Sequence, residues 1–249
     1  AAAATAGYRD VSRRAEPTTS EPFAKPLPWL FLCVLFFLVF PETDLQVSNY
    51  FYDSATKSFP ANHWWWVKWI YVYTPEINKL VSVSAMVLLL VTVFRPQMVG
   101  VRWRKGVVAW LLMAVIGIGF LVDWVLKDHV GRPHPYQTLP YNGTKDFVPV
   151  FHYKPLCDHN CSFVSGHAAG GFVWMAWGMW RGRRIRQRWL WTGVAAGALI
   201  GATRVMQGGH FLSDIIFSGW FMWLTYQLIR NAWLRYRYIR IRRHSNPQI

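Results

Sequence analysis

Hydrophobic residues in this chain come in long blocks, and the gaps between blocks alternate between arginine-rich and arginine-poor. The blocks run from about Leu27 to Phe40, Ile77 to Phe94, Val107 to Leu126, Ala168 to Trp180, Trp189 to Ala202, and Ile215 to Ile229. A bilayer core demands about 17–25 mostly apolar residues per helix, so the pattern predicts membrane helices rather than a soluble core. Blocks one, four and five are short and are expected to extend into their flanks. Pro41 and Pro75 are expected to mark helix ends, because proline removes a backbone donor.

The charges orient the spans. Arg9, Arg13, Arg14 and Lys25 precede the first block, and Arg95, Arg102, Arg104 and Lys105 separate the second from the third. Arg181, Arg183, Arg184, Arg186 and Arg188 separate the fourth from the fifth, and Arg230, Arg235, Arg237, Arg240, Arg242 and Arg243 follow the sixth. With six spans all four groups fall on one side, which the positive-inside rule places in the cytoplasm. The opposite segments carry most of the acids: Glu42, Asp44, Asp53, Asp128, Asp146 and Asp158. A formal charge of +15 would also suit a nucleic-acid binder. Arginines at the ends of apolar blocks act instead as topology signals, so no nucleic-acid partner is expected.

The expected fold is therefore all-α: a multi-pass protein with six transmembrane helices. Residues 1–26 are expected to form a polar cytoplasmic tail, 27–230 the membrane domain, and 231–249 a basic cytoplasmic tail. The segment Asp44 to Asp53 carries Leu45, Val47, Tyr50 and Phe51, which fits an interfacial helix in the first outer loop. The aromatic run from Asn62 to Tyr73 fits a girdle at the membrane–water boundary.

Polar and ionisable residues beside membrane spans are costly and call for a function. Here they form three clusters: Lys127 to Pro135, Cys161 to Ala168, and Thr203 to Asp214. All three emerge on the arginine-poor side, although that side was assigned without them. Their chemistry suits phosphate. Lys127, Arg132 and Arg204 offer charge and donors, and guanidinium forks match phosphate oxygens. Ser165 and Gly166 open a helix, where backbone N–H groups bind anions. His167 and His210 supply a general acid and a nucleophile. Asp214, one helical turn after His210, can hold that ring in one tautomer.

These clusters resemble the type-2 phosphatidic acid phosphatase family of membrane lipid phosphatases, whose pattern is K-x6-R-P, P-S-G-H and S-R-x5-H-x3-D. The third motif is matched by Thr203-Arg204, His210 and Asp214, with Thr for Ser. The second is Val164-Ser165-Gly166-His167, with Val for Pro. In the first, Lys127 is present, but His134 stands where the family has arginine, before Pro135. The stretch Asn160 to Ala168 further resembles lipid A 1-phosphatase-like members.

The resemblance implies that His210 attacks phosphorus to form a phosphohistidine, oriented by Asp214. His167 would protonate the leaving lipid oxygen and then activate water. Lys127, Ser165, Gly166 and Arg204 would hold the phosphoryl oxygens. Either Arg132 or His134 would replace the missing arginine, with Arg132 preferred for its permanent charge and fork. No metal or other cofactor is implied. The partner is a lipid phosphate within the bilayer: lipid A 1-phosphate, undecaprenyl pyrophosphate or phosphatidylglycerol phosphate. The site would face the periplasm from a bacterial cytoplasmic (inner) membrane. The oligomeric state is left open.

Three alternatives stand beside this reading. A phosphotransferase would use the same site with a lipid acceptor. A transporter would not need a His and an Asp at helical spacing beside an Arg. A zinc site built from the outer histidines has neither an H-E-x-x-H sequence nor paired-Cys spacing, and Lys and Arg neighbours repel a cation. Cys33 is expected to be a packing residue in the first span. Cys157 and Cys161 either pair in an oxidising compartment or remain free thiols.

Overall fold

A computed structural model of the chain describes residues 26–245. The expected N-terminal tail lies outside the described residues, except for its last position. The described chain is helical, and its only strand-like pairings are two isolated bridges, Asp53 with Ser58 and Thr138 with Lys145.

Helix α1 (Leu27–Val39) and helix α2 (Thr43–Phe51) meet at a bend of 80° around Pro41, which ends α1 as expected. Only Phe37 of α1 is buried, so its apolar surface faces outward almost all round, as suits lipid contact. In α2 the buried residues are polar, Asp44 and Ser48, while Tyr50 is exposed. The polar face therefore points into the protein, which the apolar pattern of this segment does not reveal.

Helix α3 (Trp65–Phe94) has 30 residues and spans about 45 Å at 1.5 Å per residue. It starts well before the expected Ile77, and Pro75 lies inside it rather than at its end. The carbonyl that the proline deprives of a helical partner, that of Tyr71, lies beside the ring of His167. Helix α4 (Val101–Leu112) continues without a break through a wider π-type winding, Met113–Lys127.

Helix α5 (Gly166–Phe172) tightens into a 3-10 stretch, Val173–Gly178. Helix α6 covers Arg183–Met206 and helix α7 covers Leu212–Ser245. Helices α5 and α6 cross at Gly171 and Gly197, where a β carbon on Gly171 would stand 2.6 Å from the Gly197 backbone. Only glycine permits so close an approach, a common device between membrane helices. Helix α7 runs on past Ile229 to Ser245, so the described part of the expected basic tail continues the last helix.

Among the described residues, two helices, α3 and Val101–Lys127, are long and apolar enough to cross a membrane, and the bent pair α1–α2 makes a third if taken as one span. The α5 segment is short and changes winding, α6 begins in arginines, and α7 combines Asp214 with an arginine-rich second half. The core packs Trp110, Met113, Met175, Met179 and Met222 between these helices, and Phe37 of α1 against Phe217 of α7 at 5.8 Å. At one end of the bundle Arg181 donates to the Arg102 carbonyl at 2.7 Å, joining the arginine-rich turn before α6 to the start of α4. At the other end Asn62 donates to the Gln207 carbonyl at 3.3 Å, and the three polar clusters gather there.

Candidate active site

His210 precedes α7 and Asp214 lies in its first turn, with 2% and 0% of their surfaces exposed. The Nδ1 of His210 lies 2.8 Å from the Ser162 carbonyl and 3.6 Å from Asp214 Oδ2. A carbonyl only accepts, so Nδ1 carries the proton and Nε2 keeps its lone pair. Burial pushes the pKa of His210 down to about 3, although Asp214 pulls it upward. The ring is therefore neutral near pH 7, as a nucleophile must be. Asp214 Oδ2 also accepts the Ser162 hydroxyl and, at 2.9 Å, the Phe211 N–H.

Arg132 is packed behind this pair. Its Nε donates to the Val148 carbonyl at 2.9 Å, and Nη1 donates to Ser213 at 2.8 Å and to Asp214 Oδ1 at 2.6 Å. Its Nη2 donates to Asp44 Oδ2 at 2.7 Å. Burial alone would lower its pKa, but the Asp214 and Asp44 carboxylates more than offset that and raise it. The guanidinium is thus 2% exposed and engaged at all three nitrogens, and it does not join Lys127 and Arg204. The preference for Arg132 as a phosphate ligand is not met, because two carboxylates occupy it.

His134 does not take that place either. Its Nδ1 faces the Gly209 carbonyl and its Nε2 lies 2.8 Å from the Asn160 carbonyl. Burial lowers its pKa, while the two carbonyls act in the opposite sense, since only an imidazolium can donate from both nitrogens. The ring stands 5.1 Å from that of His210 and ties two site loops together.

Of the cations expected at the site, Lys127 and Arg204 remain on the open side. Lys127, closing α4, donates to Asn160 Oδ1 at 2.7 Å, and a β carbon on Gly166 would stand 3.5 Å from its Nζ. Arg204, near the end of α6, donates to Gln207, and its guanidinium lies 4.5 Å over the Tyr71 ring. Gly209 is needed beside it, because a β carbon there would strike the guanidinium at 2.2 Å. His167 stacks on the same Tyr71 ring at 4.8 Å. Ser165 is fully buried and caps α5, accepting the Ala168 N–H at 3.3 Å.

Cys157 and Cys161 sit with their sulfurs at bonding distance and their Cα atoms 5.7 Å apart, in the loop leading to Ser162. Cys33 is a free thiol in α1. Among the described residues, no group of three His, Cys, Asp or Glu side chains is placed to hold a metal ion.

Four residues of this arrangement are not assigned to the site by the sequence: Asp44, Tyr71, Asn160 and Ser162. Ser162 and Asn160 flank a recognised motif. Asp44 and Tyr71 stand within segments read as interface and aromatic girdle, and they have no spacing to mark them.

Comparison with known proteins agrees with the geometry. The pattern of the PAP2 superfamily matches residues 107–237, which include Lys127, His167, Arg204, His210 and Asp214. The chain is 33% identical over 204 residues to a lipid A 4'-phosphatase of Francisella tularensis subsp. novicida, covering 80% of this chain and 91% of that protein. It is 36% identical over 106 residues to a lipid A 4'-phosphatase of Rhizobium etli, covering 43% of this chain and 41% of that protein. It is 32% identical over 124 residues to a lipid A 1-phosphatase of the same organism, covering 47% and 48%. No solved structure matches. With three motifs assembled at one end of a helical bundle and a family pattern covering half its length, the chain belongs to the PAP2 superfamily.

Proposed function

We propose that this PAP2-superfamily phosphatase hydrolyses a phosphate monoester of lipid A, or of a closely related lipid, at the outer face of the bacterial inner membrane. The observation that carries the reading is His210. Its Nδ1 is committed to the Ser162 carbonyl, so the Nε2 lone pair is available for attack on phosphorus. In the first step an Nε2–P bond forms and the P–O bond to the lipid breaks, with His167 giving its proton to the leaving oxygen. In the second step His167 takes a proton from water, whose oxygen displaces His210 and releases inorganic phosphate. Lys127 and Arg204 take up the charge that develops on the phosphoryl oxygens.

The relative matched over most of both chains is named a 4'-phosphatase, and the 1-phosphatases match about half of each chain. This favours the 4' phosphate. The outward orientation is supported by the joined arginine-rich segments, which stand at the end of the bundle opposite the three clusters. Six spans, with α5, α6 and the first half of α7 as the last three, would place those segments in the cytoplasm.

The test is phosphate release by purified protein from lipid A with defined phosphates, from undecaprenyl pyrophosphate and from phosphatidylglycerol phosphate. Release from the 4' position of lipid A supports the proposal. Transfer to a second lipid without free phosphate would make the chain a phosphotransferase. Neither outcome on any lipid would sink the reading.

A further inference from the structure

Beside His167 and Lys127 a cleft of about 430 Å³ runs down between α3, α4 and α5. Its walls belong to helices that are otherwise apolar, yet Thr74, Asn78 and Ser82 form a stripe along one face of α3, each four residues from the next. Lys79 lines the cleft as well and is held by Glu76 at 2.9 Å. Across from them stands Asp123, in the π-type continuation of α4, one turn before Lys127.

Asp123 is hard to explain by phosphate binding. A carboxylate beside an anion site has the wrong sign, and within an apolar helix it is costly. None of the described residues donates a hydrogen bond to it. Asn78 makes the second unmet demand. Its Nδ2 donates to the Gly170 carbonyl at 2.9 Å, but its Oδ1 is buried with no hydrogen-bond partner. Asp123 and the side chain of Asn78 thus line a space that begins beside His167, with the Asn78 oxygen held just behind its wall. Gly166, Gly170 and Gly119 line it without side chains and leave it open.

We infer that this cleft is a specificity subsite for the part of the lipid next to the phosphate, and that Asp123 and Asn78 accept hydrogen bonds from hydroxyl or amide N–H groups there. The inference rests on the lipid phosphatase reading above and narrows it by chemistry. A phosphorylated saccharide lipid with hydroxyls and amide-linked chains supplies such donors. A diacylglycerol phosphate offers only ester oxygens and would leave both acceptors unpaired, which a site built for hydrogen bonds penalises heavily.

The test compares kcat/KM for lipid A and for dioleoyl phosphatidic acid in the same mixed micelles, with wild type, Asp123→Leu and Asp123→Asn. Wild type is expected to prefer lipid A by about tenfold or more. Asp123→Leu should lower that ratio by about tenfold, mainly through KM, and Asp123→Asn, which keeps an amide oxygen as acceptor, should retain more of it. Equal losses on both substrates would make Asp123 a counter-ion of Lys127 and overturn the inference. So would an unchanged ratio in both variants, or a wild type without preference. Wild type inactive on every lipid would instead defeat the phosphatase reading itself.

Discussion

The guanidinium of Arg132 and the carboxylate of Asp214 meet at 2.6 Å with 2% and 0% of their side chains exposed. This contact places a fixed positive charge behind the carboxylate that stands beside the His210 ring, away from Lys127 and Arg204. Removing one partner of a buried pair leaves the other charged and unpaired. Arg132→Ala is expected to lower stability by about 3–5 kcal/mol and to slow turnover, because Asp214 loses the charge that fixes it beside His210. Arg132→Lys should recover little, because one ammonium cannot serve two carboxylates and a carbonyl in a fork. Thermal unfolding in detergent, read beside kcat, checks both effects. Slow turnover at unchanged stability would make Arg132 a phosphate ligand after all.

Asp44 is expected to matter although it lies in α2, outside the region matched by the family pattern. Its Oδ2 accepts Arg132 at 2.7 Å and the Ser213 hydroxyl, and its Oδ1 accepts the Ser213 N–H at 2.9 Å, at the start of α7. Asp44→Asn keeps the shape but leaves the guanidinium one carboxylate short. A loss of roughly 3 kcal/mol in stability is expected, together with lower kcat. An Asp44→Asn protein matching wild type in both measurements would show that α2 is dispensable for the site.

The candidate residues His210, Asp214 and His167 are legible because their spacing is local: His210 and Asp214 are one helical turn apart, and Ser165 to His167 are contiguous. The partners of that chemistry were not. Arg132 reaches Asp44 and Asp214 across 88 and 82 positions, and no periodicity encodes such contacts. The same limit misplaced the start of α3. Pro75 reads as a breaker when only its missing N–H is considered. In the fold the helix continues through it, and the Tyr71 carbonyl that it frees lies beside His167, which arrives from α5. Both candidates for the third cation of the first motif, Arg132 and His134, are engaged by groups that the sequence could not bring near.

Acid should destabilise the protein through His210. Its pKa is pushed down to about 3 by burial, against an ordinary value of about 6.5 in the unfolded chain. Between these values the unfolded state binds the extra proton, so stability rises with pH there and is fully present above about pH 6.5. The melting temperature is expected to fall between pH 7.5 and pH 5, and to fall less in His210→Asn. Parallel curves for the two proteins would place the acid sensitivity elsewhere.

Cys157 and Cys161 should be linked in protein made in an oxidising compartment, as their positions allow. A non-reduced digest analysed by mass spectrometry is expected to contain the linked peptide. Recovery of both as alkylated thiols would refute the pairing.

The central claim is that His210 carries the phosphoryl group. Rapid acid-free quenching with lipid substrate labelled in the phosphate should trap a phosphoenzyme that is stable to alkali and lost in acid, with the label on His210. His210→Ala should form none and release no phosphate, and prior treatment with EDTA should leave the wild-type rate unchanged. A labelled intermediate on another residue, or turnover by His210→Ala near the wild-type rate, would contradict the account.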